Sequence, residues 1–242
     1  MKEYNELLDG LFTEWEAVSI ANGDGKISKD GLMRKLNADV NELWNKSVKN
    51  VMFLMKDQPN GGGDDTRNWL VLPEEHRLAK RNREASPVFL KRLALLLYGI
   101  TYNVTDYYSI DEKEAVKCFN EVPFAFVEAK KQSGGTSVTA KVMDSYINKY
   151  KDFLLREIDI LEPNIIVCCG GPQYHFALHT LYSKDDLERI DENVYFDKVK
   201  NVLLMYSLHP RWRGSHADFF SKVMWHYGKF LEKYPDFLIR SN

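Results

Sequence analysis

Val202-Leu203-Leu204-Met205-Tyr206-Ser207-Leu208-His209-Pro210-Arg211-Trp212-Arg213-Gly214 decides how this chain is read. Its first five residues are apolar throughout, the pattern of a strand covered on both faces. A histidine and a proline then end the strand and open a loop of two arginines around a tryptophan. The histidine can serve as acid, base or hydrogen-bond donor near neutral pH, and the proline fixes the exit of the chain. Arginine and tryptophan together can hold phosphates and stack on bases. A plain strand-to-helix turn with solvated charges is the alternative.

Three further runs read as strands: Val48 to Met55, Pro123 to Ala129, and Ile165-Ile166-Val167-Cys168-Cys169. Helical spacing of apolar residues covers 3–19 and 87–98, with Gly99 as a stop signal. It covers 142–161 as one helix, then 173–181, and a final segment carrying Phe219, Phe220, Val223, Met224, Tyr227 and Phe230. Strands alternating with helices predict an α/β fold, a three-layer α/β/α sandwich around a central, mostly parallel four-stranded sheet. One domain spans 1–242, with a helical N-terminal extension over 1–45 and an α/β core over 46–242. The polar stretch 183–200 reads as an exposed excursion.

The chain has 242 residues, 44% of them hydrophobic, enough for a substantial core. A net charge of −2 means that any contact with nucleic acid must come from a local basic patch. Cys118, Cys168 and Cys169 lack metal-ligand spacing and are too few for an ordinary iron–sulfur cluster. No metal and no cofactor is expected. Asn22-Gly23-Asp24-Gly25 imitates a calcium loop, but Ile20 and Gly31 occupy the positions that need carboxylates. Gly61-Gly62-Gly63 is followed by Asp-Asp, not by the Lys-Ser/Thr of a phosphate loop. His175 and His179 are four apart, yet Phe176 stands where a zinc protease carries glutamate. No Gly-x-Ser-x-Gly elbow is present. The start of the chain lacks a signal-peptide pattern, and no apolar run approaches the roughly 20 residues of a membrane span. A cytoplasmic monomer without membrane contact is expected.

Open parallel sheets bind ligands at the carboxyl ends of their strands. The loops there carry Asp57-Gln58-Pro59-Asn60 with Asp64 and Asp65, Glu128 with Lys130 and Lys131, Gly170-Gly171, and His209 with Arg211-Trp212-Arg213. Carboxylates, amides, one histidine and cations in one place suit polarising a leaving group while positioning a water.

The order of these parts resembles the uracil-DNA glycosylase superfamily over residues 48–234. Val51-Met52-Phe53-Leu54-Met55 with Asp57-Gln58-Pro59-Asn60-Gly61 looks like its first motif. Phe124 to Glu128 looks like the strand whose last residue reads the base edge, and His209-Pro210 looks like its second motif. Leu155 to Gly170 looks like its stretch of helix, Leu-x-Pro, apolar strand and glycine. The resemblance implies a DNA base-excision hydrolase that cleaves the N-glycosidic bond of a flipped base. Catalysis would fall to Asp57, Gln58 and His209, and substrate binding to Pro59, Asn60, Asp64, Glu128 and Gly170. DNA would be held by Lys131, Arg211, Trp212 and Arg213. Gln58 replaces the family's acid or asparagine, Glu128 replaces its asparagine, and Arg211 follows His-Pro in place of serine. A carboxylate at 128 only accepts hydrogen bonds, so it suits the exocyclic amine of cytosine or adenine better than uracil. Two other functions fit the same residues. One is a non-catalytic nucleic-acid or nucleotide-binding module. The other is a hydrolase of a small nucleoside or nucleotide, its acidic loop 57–65 rejecting DNA phosphates or recruiting a divalent ion.

Overall fold

A computed structural model of the protein describes residues 2–57, 63–68, 87–132, 138–170 and 180–237. Its strands are β1 (Gly31–Leu32), β2 (Val51–Asp57), β3 (Ala125–Lys130), β4 (Ile165–Cys168), β5 (Leu187–Arg189), β6 (Val194–Asp197) and β7 (Val202–Tyr206). They form one sheet in the order β1-β3-β2-β4-β7-β6-β5. The neighbours β3–β2, β2–β4 and β4–β7 are parallel, and β1, β6 and β5 join antiparallel at the two edges. The sheet is therefore seven-stranded among the described residues, not four-stranded. The added strands have two to four residues, too few to show a period-two pattern in sequence. Two of them come from the stretch expected to be an excursion. Its charges, Glu188 and Arg189 among them, suit a sheet edge.

The helices are α1 (Tyr4–Ala21), α2 (Val40–Lys46), α3 (Pro87–Tyr102), α4 (Glu112–Glu121), α5 (Ala140–Lys149), α6 (Lys151–Leu161) and α7 (His216–Lys233). Met52, Leu54, Val127, Ile166 and Leu204 point to the face covered by α1, α2, α5 and α6. Phe53, Met55, Phe126, Val167 and Met205 point to the face covered by α3, α4 and α7. Alternation along each strand thus yields three layers. Residues 2–45 are part of this body: α1 buries Leu8, Leu11, Phe12 and Trp15 on the sheet, and β1 pairs with β3.

Two helix ends differ from their expected places. The chain stays helical through Gly99, which is needed for contact: a Cβ there would lie 2.9 Å from Phe220 and Met224 of α7. The stretch 142–161 is two helices that meet at Tyr150, whose hydroxyl is 2.5 Å from Asp24 Oδ2. Apolar positions continue across this break, so periodicity does not reveal it.

Lys131, expected to contact DNA, is fully buried. Its ammonium lies 2.5 Å from Asp30 Oδ1 and 2.7 Å from Glu157 Oε2, both carboxylates being fully buried too. The rings of Phe12 and Trp15 lie beside it, at 5.5 and 5.4 Å. Burial, helped by Asp30 and opposed by Lys131, pushes the Glu157 carboxyl well above its ordinary range. This core ion group joins α1, the chain before β1, the end of β3, and α6. Replacing Lys131 with Met leaves two buried acids uncompensated. Urea unfolding is expected to show a loss of about 3–5 kcal/mol; an unchanged midpoint would contradict the arrangement.

Candidate active site at the carboxyl rim

The four parallel strands end at one rim. Met55 pairs with Glu128 and Asp57 with Lys130, while Leu54 pairs with Cys168 and Cys168 with Tyr206. The chain runs outward from β2 to β3 and then returns to β4, so the order reverses beside β2. That is where open α/β sheets form their crevice. Asp57 ends β2, Gly170 follows β4 in a buried turn, and His209 follows β7.

Glu128 is buried, and its backbone N–H donates to Asp30 Oδ2 at 2.8 Å. Two residues beyond Phe126, it shares that residue's face of the sheet. The Phe89 ring of α3 lies 6.3 Å from Phe126 and 6.1 Å from the His209 imidazole, centre to centre. Phe89, itself buried, therefore packs between β3 and the His209 loop. It was not among the residues picked from the sequence, where it is one apolar side chain in an apolar helix.

The backbone N–H of Arg211 donates to His209 Nδ1 at 3.1 Å. Nδ1 is thus an acceptor, and the neutral ring carries its proton on Nε2. Burial, with the cations of Lys56 and Arg211 adding, pushes the imidazole down to about 4. At neutral pH it is an uncharged N–H donor with a fixed tautomer.

The loop after His209 is built around Arg92, a buried cation on α3. One guanidinium nitrogen donates to Pro210 O (3.0 Å) and Trp212 O (2.6 Å). The other donates to Gly214 O (2.5 Å) and Ser215 O (3.3 Å). The cation also lies 4.9 Å from the Phe219 ring centre. Arg211 and Arg213 stay exposed. Trp212 folds back over Gly214, where a Cβ would come within 2.0 Å of the indole, and Lys222 Nζ is 5.4 Å from the same ring.

The acidic turn lies elsewhere. Asp64 is exposed and its carbonyl accepts from Lys29 N–H at 2.9 Å, outside β3 at the edge of the sheet. At about 4.8 Å per strand, that is roughly 20 Å from the end of β7. Asp64 therefore stands at the edge of the sheet beyond β3, away from the end of β7. Asp65 is held by Arg67, which bonds both of its carboxylate oxygens at 2.8 Å and Asp9 at 2.8 Å. Gln58, Pro59, Asn60, Gly171, His175 and His179 lie outside the described residues, as does the expected helix start at 173. No helix among the described residues is long and apolar enough to cross a membrane. In sequence comparisons, no protein-family model and no curated protein matches this chain.

Two outcomes are expected. Arg92→Ala removes four charge-assisted bonds, each worth about 1.5–3 kcal/mol. Tryptic cleavage after Arg211 and Arg213 should accelerate at least about tenfold. In an NMR titration His209 should protonate near pH 4 in the folded protein, against 6.5 for an ordinary imidazole. The unfolded chain takes up that proton first, so stability should fall as pH drops from 6.5 toward 4. A midpoint near 6.5 would overturn the assignment of a neutral ring.

Proposed function

We propose that the protein is a DNA base-excision hydrolase that cleaves the N-glycosidic bond of a base extruded beside His209. The observation that carries this reading is His209, a neutral imidazole with its only proton on Nε2. When the bond between the sugar C1′ and the base nitrogen breaks, the base departs with the electron pair. A neutral N–H facing that base stabilises the charge without having to give up its proton. One well-placed donor of this kind contributes roughly 3 kcal/mol. Water then supplies hydroxide to C1′, and its remaining proton neutralises the base. Asp57, the last residue of β2, is the residue that the sequence offers for orienting that water and balancing the cationic sugar.

Glu128 is the specificity element in this reading. A carboxylate on the Phe126 face accepts hydrogen bonds from the edge of a base, which favours an exocyclic amine. Arg211 and Arg213 hold the phosphates that flank the extruded nucleotide. Extrusion costs roughly a few kcal/mol, offset by these contacts.

The test is base release from single- and double-stranded oligonucleotides containing cytosine- and adenine-derived lesions, uracil or hypoxanthine. Release is expected from at least one substrate, and His209→Ala should slow it about a hundredfold or more. The acid limb of the rate profile should lie near pH 4, where His209 becomes charged. Salt-sensitive binding without release on any substrate would turn the reading into that of a binding module.

A further inference from the structure

A second cleft, about 520 Å³ in volume, lies between α7 and the turn before β6. Ser207 and Leu208, which lead into His209, form one of its walls. Lys222 and Trp225 of α7 form another, and His226 and Asn193 close it. Three features make it a built site. Trp225 is 57% exposed, a large indole left open to solvent. The His226 ring meets it edge-on, 5.0 Å away at 81°, and Lys229 Nζ is 5.6 Å from its centre. In the neutral ring His226 Nδ1–H donates to Asp191 Oδ2 at 2.6 Å, which leaves Nε2 to accept from Asn193 Nδ2 at 2.9 Å. The Asn193 amide is thereby pinned, and its remaining N–H and Oδ1 offer the donor–acceptor pair that reads a base edge.

We propose that this cleft binds an unpaired nucleotide of the same DNA strand, next to the one whose base is extruded. Its base stacks on Trp225, Asn193 contacts its edge, and its phosphate lies on Lys222. Glu192, also at the cleft, keeps the phosphate to the Lys222 side. The occupant follows from continuity and charge. Lys222 lies over Trp212, so a strand held by Arg211 and Arg213 passes along the same cations into the cleft. An indole with flanking cations is the means by which proteins hold single strands without needing a particular sequence. The proposal rests on the DNA reading of the His209 site and adds that the strand beside the target base is unpaired.

Fluorescence anisotropy with a labelled twelve-residue thymidine oligonucleotide tests it, using the full chain and its Trp225→Ala, Trp225→Phe and Arg211→Ala/Arg213→Ala variants. Trp225→Ala is expected to weaken binding about tenfold or more and Trp225→Phe to restore most of it, in line with the loss of one stacked base. The preference for single strand over duplex should shrink in Trp225→Ala. If Trp225→Ala binds as the unmodified protein does while the double arginine variant weakens, the cleft proposal is overturned and the DNA reading stands. If the unmodified protein binds no oligonucleotide, both are overturned.

Discussion

The buried ammonium of Lys131 between Asp30 and Glu157 is the constraint on which the rest of the molecule depends. Removing three ionisable groups from water costs several kcal/mol per charged group, and only close geometry offsets it. What the arrangement secures is position. Asp30 spends its second oxygen on the backbone N–H of Glu128. The same ion group therefore holds α6 and the chain before β1 together and sets where β3 delivers Glu128. A hydrophobic replacement could be as stable, but would not fix the end of β3 against three separate segments.

Arg92 uses the same device on the opposite wall, with carbonyl dipoles in place of carboxylates. A guanidinium has donors in a planar fork, so it can hold several oxygens of one loop at once. Four carbonyls from Pro210 to Ser215 converge on it, and that fixes a segment with no regular structure of its own. Arg67 repeats the theme at the sheet edge, where Asp65 and Asp9 hold it. Buried cations thus fix the end of β3 and the loop after β7 on either side of the buried Phe89, and the parallel strands between them carry the register across.

The layers of the fold were legible because the central strands are continuous apolar runs and the long helices carry one apolar face. The sheet edges were not, since two- to four-residue strands show no period. Lys131 was misread because it follows Lys130, and a pair of lysines after a strand looks like solvated charge. The signal that could have found it lies far away in sequence. Glu157 sits among Leu154, Ile158 and Leu161 on the buried face of α6, where a lone carboxylate requires a buried partner. Arg92 left the same trace, a guanidinium within the apolar run of α3. His209 was legible as a candidate from its place after β7. Its neutral state was not, because that depends on burial, with Phe89 packed beside it, and on the nearby cations of Lys56 and Arg211.

The cations near His209 act in two ways that support each other. Lys56 and Arg211 add to burial in keeping the imidazole uncharged. On the proposed reading, the exposed arginines of that loop also attract the phosphate backbone. A charged imidazole in their midst would have to be neutralised by a carboxylate, and that carboxylate would repel the strand. An uncharged donor avoids this conflict. It leaves the positive field to the phosphates and still offers a proton on Nε2 to a base that becomes negative only as its bond breaks. The Nδ1 contact with Arg211 N–H makes the arrangement directional, because it ties the ring's tautomer to the backbone of the loop that carries the cations. The segment that would hold the strand is then the one that determines which nitrogen of His209 faces the base.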